Sequence, residues 1–117
     1  MSITFQVRGA SPIYTFESAR PTALNVNQRN ALAIFRRLSI DAAADGDWFG
    51  SLPAYEVAER CRDALGSIDA LLDIGLERKS PGRVIEAGRA AGFINARLRE
   101  LLDIATRAGE QGTIDWA

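Results

Sequence analysis

The chain has 117 residues, one cysteine, no histidine and a formal net charge of −1. The missing histidine removes the commonest general base at neutral pH, the commonest metal ligand and every Cys/His zinc pattern. The near-neutral charge excludes a global field that would hold the chain on nucleic acid or an anionic membrane, and the apolar runs are too short to span a bilayer. We therefore expect a single cytoplasmic domain without cofactor, metal or secretory signal.

The N-terminal residues are predicted to be extended. Apolar and polar residues alternate from the third residue onward, which is the period of a half-buried strand, and a second short strand is predicted over 13–16. The C-terminal residues 113–116 place Ile114 and Trp116 on one face of a further strand. We expect the C-terminal strand to meet the N-terminal strands in a small sheet that helices must cover. The alternating apolar residues of the first strand are Ile3, Phe5 and Val7.

The first helix is predicted over residues 26–39, with Asn25 as its N-cap and Gln28 completing a capping box. Its apolar stripe has the spacing of one helix face. A loop is predicted over 41–50, where alanines and an Asp-Gly-Asp sequence interrupt the pattern. The three aspartates of this loop do not have the spacing of a calcium-binding loop, so they indicate turn chemistry. The stripe consists of Ala31, Ile34, Phe35 and Leu38.

Two long helices with matching seven-residue apolar rows are predicted over 53–72 and 83–108. Gly66 is a point at which the first of them can break, and Gly109 closes the second. Their short connection and matched rows predict antiparallel packing at a shallow angle. Cys61 lies in an apolar row, where it is expected to pack as a small hydrophobic side chain.

These elements predict a mainly α fold, a three-helix antiparallel bundle with a small β-sheet formed by the N-terminal strands and the C-terminal strand. The predicted single domain spans 1–117. It consists of an extended segment over 1–22, a helical bundle over 23–109 and a C-terminal strand over 110–117.

Two groups of side chains are candidate partner-binding sites. Trp48 and Phe49 lie in the acidic loop, where they either fold back over the bundle or form an exposed anchor for a partner. Arg89, Phe93 and Arg97 form a ridge next to the apolar stripe of the third helix. Either Phe93 covers the sheet beneath its arginines, or the ridge is a protein-binding surface.

Charge is distributed unevenly between the two long helices. Residues 41–73 contain eight acids and two bases, whereas residues 78–107 contain seven bases and three acids. The simpler interpretation is that the antiparallel helices complement each other's charge. The alternative is that the third helix presents a basic surface to nucleic acid or to an acidic partner.

Four motifs are distributed over most of the chain, namely Leu-Asn-x-x-x-x-Asn-Ala at 24–31, Trp-x-Gly at 48–50, Gly-Arg-x-x-Gly-aromatic-x-x-x-Arg-Leu at 88–98 and Ile-x-Trp at 114–116. Together they resemble a family of small uncharacterised proteins in GC-rich bacteria and their phages or prophages. The resemblance implies a mobile-element origin and names no substrate.

The expected function is that of a non-enzymatic interaction protein, because no catalytic constellation is present. If the chain is encoded by a phage, we expect it to bind and block a host protein or a defence complex. Two alternatives stay open, namely nucleic-acid binding by the third helix and small-molecule binding between sheet and helices. A homo-oligomer is compatible with each of these functions.

Overall fold

The computed structural model describes residues 2–10, 21–41, 49–67 and 92–117 of the chain. The predicted strand over 13–16 and the predicted helical residues 83–91 lie outside these ranges. The strands are β1 (Ser2–Val7), β2 (Ala23–Asn27), β3 (Gly50–Pro53) and β4 (Thr113–Trp116). The helices are α1 (Gln28–Arg37), α2 (Ala54–Leu65) and α3 (Phe93–Ala108).

The prediction of a mainly α three-helix bundle is wrong. Helices make up 51% and strands 25% of the described residues, and the strands form one four-stranded antiparallel sheet, so the fold is α+β. The sequence pattern does not predict β2 and β3, which fall within the range assigned to the helical bundle. Both strands are short and run directly into a helix. Their apolar residues therefore continue the helical pattern that follows them.

The sheet has the strand order β2-β1-β4-β3. In β1, Phe5 lies opposite Leu24 of β2 on one side and opposite Trp116 of β4 on the other. Leu52 of β3 lies opposite Ile114 of β4. The predicted C-terminal strand therefore matches β4, and its predicted pairing with the first N-terminal strand is confirmed. These paired residues form the apolar face of the sheet, against which the helices pack.

The opposite face of the sheet is polar. The Asn25 side-chain amide donates hydrogen bonds to the hydroxyl oxygens of Ser2 at 3.1 Å and Thr4 at 2.9 Å. The Arg8 guanidinium pairs with the Asp115 carboxylate at 2.8 Å. Side chains alternate between the two faces of a strand, so apolar residues on one face leave polar ones on the other.

Helix α1 begins at Gln28, and the residue that caps it is Asn27. The Asn27 side-chain oxygen accepts a hydrogen bond from the Asn30 backbone N–H at 2.8 Å. The prediction of Asn25 as the cap is wrong, because that residue still belongs to β2 and its side chain binds neighbouring strand hydroxyls. The chain leaves the sheet two residues later than the capping pattern suggests.

Three aromatic rings join α1 to the sheet. Phe35 of α1 lies 5.3 Å from Phe5 and 5.5 Å from Trp116, measured between ring centroids. All three side chains are buried. Fully burying a large apolar side chain contributes about 1.5–3 kcal/mol, so this cluster is a major part of the core.

Helices α2 and α3 run antiparallel, as the matched apolar rows predict. The Ala54 N–H at the start of α2 donates to the Gly112 carbonyl, which follows the end of α3. At the other end, a single guanidinium, that of Arg37, binds both the Ala64 carbonyl of α2 and the Asn95 side chain near the start of α3. Small buried side chains in α2 allow the two helices to approach closely.

Glycines mark the ends of these helices. Helix α2 ends at Leu65 with Gly66 as its C-cap, so the prediction of a helix continuing through Gly66 is wrong and the alternative of a break at that glycine is the one observed. Helix α3 starts after Gly92, whose φ of 80° is left-handed and incompatible with a continuous right-handed helix. A helix running unbroken through Gly92 is therefore a wrong prediction. Gly109 follows α3 as predicted.

Arginines from α1 and α2 connect the helices through part-buried hydrogen bonds. The Arg37 side chain donates to the Asn95 side-chain oxygen and to the Ala64 carbonyl, each at 3.0 Å. The Arg60 side chain donates to the Leu38 carbonyl at the end of α1 at 2.9 Å. Helix ends leave carbonyl groups without helical partners. Arg60 supplies a donor to the Leu38 carbonyl, and Arg37 adds a donor to the Ala64 carbonyl, which also accepts from Ser67.

Candidate protein-interaction surface

Two large hydrophobic side chains are exposed among the described residues, and they lie on either side of β3. Phe49, directly before β3, is 65% exposed, and Tyr55, in the first turn of α2, is 58% exposed. Ser51 and Pro53, which lie between them, are also exposed. We refer to Phe49, Ser51, Pro53 and Tyr55 together as the β3 surface.

The position of β3 is set by its close contact with the indole of Trp116. A Cβ atom on Gly50 would lie 2.8 Å from the Trp116 ring, so only glycine allows this approach without a shift. Gly50 and Leu52 face Trp116 and its neighbours on the apolar side of the sheet. Strand alternation therefore turns Phe49 and Ser51 to the opposite face, where solvent reaches them.

The backbone of β3 has one edge directed away from β4. The Ala54 N–H donates to the Gly112 carbonyl at 3.0 Å. In an antiparallel ladder every second residue bonds the same neighbour, so the backbone groups of Gly50 and Leu52 also face β4. Those of Phe49 and Ser51 point outward. Among the described residues no strand pairs with this edge.

A groove of about 190 Å³ lies beside Tyr55, between α2 and the end of α3. Ala58 and Ala105 contribute small apolar side chains to its lining. The exposed side chains of Arg62 and Glu110 also line it. The groove is therefore an apolar depression with one cation and one anion beside it, next to the β3 surface.

Three of the five residues in the two predicted partner-binding groups lie within the described ranges. Phe49 is exposed, whereas Trp48 and Arg89 lie outside the described residues. Phe93 is half-buried against the core, and the Arg97 guanidinium lies 5.1 Å from the centre of its ring. The predicted contact between an arginine and an aromatic ring is therefore present between Phe93 and Arg97.

Arg97 also forms an ion pair with Glu100 at 2.7 Å. Burial raises the pKa of the Glu100 carboxyl, and the positive charge of Arg97 opposes that rise. One carboxylate oxygen of Glu100 has no hydrogen-bond partner among the described residues. The effect of burial on the Glu100 pKa is thus larger than the opposite effect of the ion pair. The protonated form is therefore favoured more in the folded chain than in the unfolded chain.

The Glu100 pKa predicts a pH dependence of stability. Because the pKa of the Glu100 carboxyl is raised in the folded chain, its contribution to the free energy of unfolding is fully present below the unfolded pKa of 4.5. That contribution is lost as the pH rises through the folded pKa. We therefore expect the stability of the wild type, relative to Glu100→Gln, to increase as the pH falls from about 7 to about 4. Urea unfolding at several pH values measures this difference.

The control for this pH series is Glu59→Gln, which removes an exposed carboxylate from α2. The stability of the wild type minus that of Glu100→Gln is the decisive quantity. If it stays constant with pH, or decreases on acidification, the raised pKa of Glu100 is contradicted.

The basic side chains of α3 are largely engaged within the fold. Arg97 binds Glu100, and Arg107 pairs with Asp103 at 2.9 Å. Arg107 also donates a hydrogen bond to the Pro21 carbonyl, just before β2. These contacts reduce the positive charge that α3 offers to the phosphates of a nucleic acid.

Two kinds of chemical group can be assessed among the described residues, namely clusters of metal ligands and the cysteine thiol. They include no cluster of three or more side chains that could hold a metal ion. Cys61 is fully buried, as predicted for a small hydrophobic side chain, and burial raises the pKa of its thiol to about 12. Because the thiolate is the reactive form, Cys61 is not an activated nucleophile.

Tyr55 and the groove beside it are not among the candidate residues predicted from the sequence. One signal was available, because Tyr55 lies outside the apolar rows of α2 that contain Ala54 and Val57. A large aromatic side chain off the core rows is predicted to face solvent. The groove residues Arg62 and Glu110 had no such signal, because α2 and the end of α3 meet only in the folded chain.

No protein-family model, no curated protein and no solved structure matches the chain. The resemblance to small proteins of bacteria and phages therefore stays a prediction, and the function has to be argued from the surface itself.

Proposed function

We propose that the chain is a non-enzymatic interaction protein that binds a protein partner through the β3 surface. The observation that carries this proposal is the exposure of Phe49 and Tyr55 on either side of a strand edge. Aromatic side chains are enriched in protein interfaces, and a strand edge offers backbone hydrogen bonds to an extended segment. We propose the cytoplasm as the place where the chain acts.

The groove beside Tyr55 supports this proposal. Its apolar lining can accept one side chain of a partner, while Arg62 and Glu110 beside it offer a cation and an anion. An interface with an apolar centre and a polar rim is the usual arrangement in protein complexes. The sequence resemblance to phage and prophage proteins would make the partner a host protein.

A nucleic acid has less support as the partner. Arg97 and Arg107 of α3 are both in ion pairs, which argues against α3 as a nucleic-acid surface. No helix in the described ranges has both the length and the apolar character needed to cross a bilayer.

The proposal is tested by comparing the proteins that the wild type and a Phe49→Ser/Tyr55→Ser double variant retain from a cell lysate. Each truncation of an interface anchor costs about 2 kcal/mol or more, which corresponds to about 30-fold in affinity. We expect at least one protein to be retained by the wild type and lost by the variant. Quantitative mass spectrometry of the bound fraction measures this.

The matched control is Arg36→Ala/Asp41→Ala, which changes two exposed side chains that neither belong to the β3 surface nor line the groove, and which leaves the net charge unchanged. This variant should retain the same proteins as the wild type. The proposal fails if the retained proteins do not differ between the Phe49/Tyr55 variant and the control, provided that both variants have the circular-dichroism spectrum of the wild type.

A further inference from the structure

We propose that β3 pairs antiparallel with β3 of a second copy of the chain, about a two-fold axis at Ser51. The two four-stranded sheets would then form one continuous sheet. This inference rests on the proposed function, because it assigns an occupant to the β3 surface. It is carried by the register of β3 on β4, which directs the backbone groups of Phe49, Ser51 and Pro53 away from the sheet.

The backbone groups of this edge are self-complementary. In the proposed register, Ser51 lies opposite Ser51 of the second copy, and each donates its N–H to the other's carbonyl. The Phe49 N–H donates to the Pro53 carbonyl of the second copy. Pro53 has no N–H, but it is required here only as an acceptor. The proline therefore does not prevent this pairing, and it limits the pairing to a short segment.

The side chains also match in this register. Phe49 lies opposite Pro53 of the second copy on the outer face, and both side chains are exposed in the single chain. On the other face, Leu52 lies opposite Gly50. Direct cross-strand pairs bring side chains into contact, so each copy would cover the exposed Phe49 ring of the other.

Electrostatic repulsion does not oppose the pairing. Residues 49–53 include no charged side chain. The nearest charge in the sheet is Asp115, which lies opposite Ser51 in β4 and is paired with Arg8 at 2.8 Å. Edge strands that avoid pairing commonly have charged side chains on the edge. The β3 edge has none, and this distinguishes it from a protected edge.

The other edge strand, β2, is less suited to pairing. Its last residue, Asn27, caps α1, and the chain turns into that helix at once. Just before β2, the Pro21 carbonyl accepts a hydrogen bond from Arg107 of α3. Because a two-fold axis uses each β3 edge once, the assembly closes at two copies.

The self-association is tested by sedimentation velocity over a concentration series. The wild-type mass should rise from that of the 12.7 kDa monomer towards twice that value. A single short strand pair buries less than about 1,200 Å², so we expect a dissociation constant weaker than about 1 μM. The variant Ser51→Pro removes an outward N–H without removing a β3–β4 hydrogen bond, and it should stay monomeric throughout the series.

Disulfide trapping tests the register and does not depend on the folding of Ser51→Pro. Cα atoms of directly paired antiparallel residues are about 5.5 Å apart, within the range of a disulfide. Under mild oxidation Ser51→Cys should therefore form a linked dimer. The control, Asn25→Cys, places a thiol on the same sheet face at the β2 edge and should not. The native Cys61 is buried and does not compete.

The outcomes separate the two proposals. A wild type that stays monomeric to millimolar concentration, or that is linked through position 25 as readily as through position 51, would overturn the β3 pairing. If the Phe49/Tyr55 variant still loses a retained protein in that case, the proposed function stands with a different partner. If neither self-association nor selective retention is found, both proposals fail.

Discussion

Replacing Phe35 with alanine is expected to lower the free energy of unfolding by about 3–5 kcal/mol. Phe35 is 1% exposed, and its ring contacts Phe5 and Trp116. Removing it would leave a cavity where α1, β1 and β4 meet. A loss of this size is a large share of the total stability of about 5–15 kcal/mol that is usual for a small domain. Chemical denaturation followed by circular dichroism measures it.

The control is Phe35→Leu, which retains most of the apolar volume and is expected to cost about 1–2 kcal/mol. The decisive result is that Phe35→Ala loses more free energy of unfolding than Phe35→Leu does. A Phe35→Ala variant that loses less than about 1 kcal/mol would show that α1 does not pack its Phe35 ring on the sheet.

Replacing Arg37 with alanine is expected to cost about 2–3 kcal/mol. Its guanidinium donates to the Asn95 side-chain oxygen and to the Ala64 carbonyl, and Asn95 is 3% exposed. Removing the donor of a buried acceptor costs the desolvation of that acceptor, which water cannot easily restore. The same denaturation experiment measures the loss.

The adjacent Arg36 provides a matched control, because it is also on α1 but is exposed. Arg36→Ala should change the stability by no more than about 0.5 kcal/mol. In addition, Asn95→Ala should lower the free energy of unfolding less in the Arg37→Ala background than in the wild type, since the two side chains share a hydrogen bond. Equal effects of Arg36→Ala and Arg37→Ala, or strictly additive effects of the Arg37 and Asn95 changes, would contradict this assignment.

The parts of the fold that depend on local patterns were predictable. The alternation of Ile3 and Phe5 indicates β1, and the placing of Ile114 and Trp116 on one face indicates β4. Gly109 marks the end of α3 as predicted. In each case the signal is a periodicity or a glycine effect that acts over a few residues, so the local sequence is sufficient.

The strands β2 and β3 were not predicted because their residues have other plausible local structures. Asn25 and the residues after it are compatible with a helix start, and Ser51 with Pro53 is compatible with the first turn of a helix. What makes them strands is pairing with distant residues, such as Gly50 with Trp116. A four- or five-residue strand has too few residues to show its own alternation clearly.

One residue of the candidate site, Phe49, was predicted from the sequence, whereas Tyr55 and the groove were not. The sequence pointed to Phe49 but left open whether it folds back over the bundle, and its 65% exposure favours an outward position. Tyr55 joins it because α2 begins directly after β3. The groove beside Tyr55 required the antiparallel contact of α2 with α3, which brings Arg62 and Glu110 to the same depression.

By itself the sequence determined the helix faces, the first and last strands and the absence of histidine chemistry, because each depends on residue type or short spacing. Only the tertiary structure decided that Asn27 caps α1, that β3 is an outer strand of the sheet formed by the described residues and that its outward edge lies beside exposed aromatic residues. Sheet position and exposure depend on contacts between residues far apart in sequence. A local pattern indicates that a residue can be buried or paired, but not with which residues it does so.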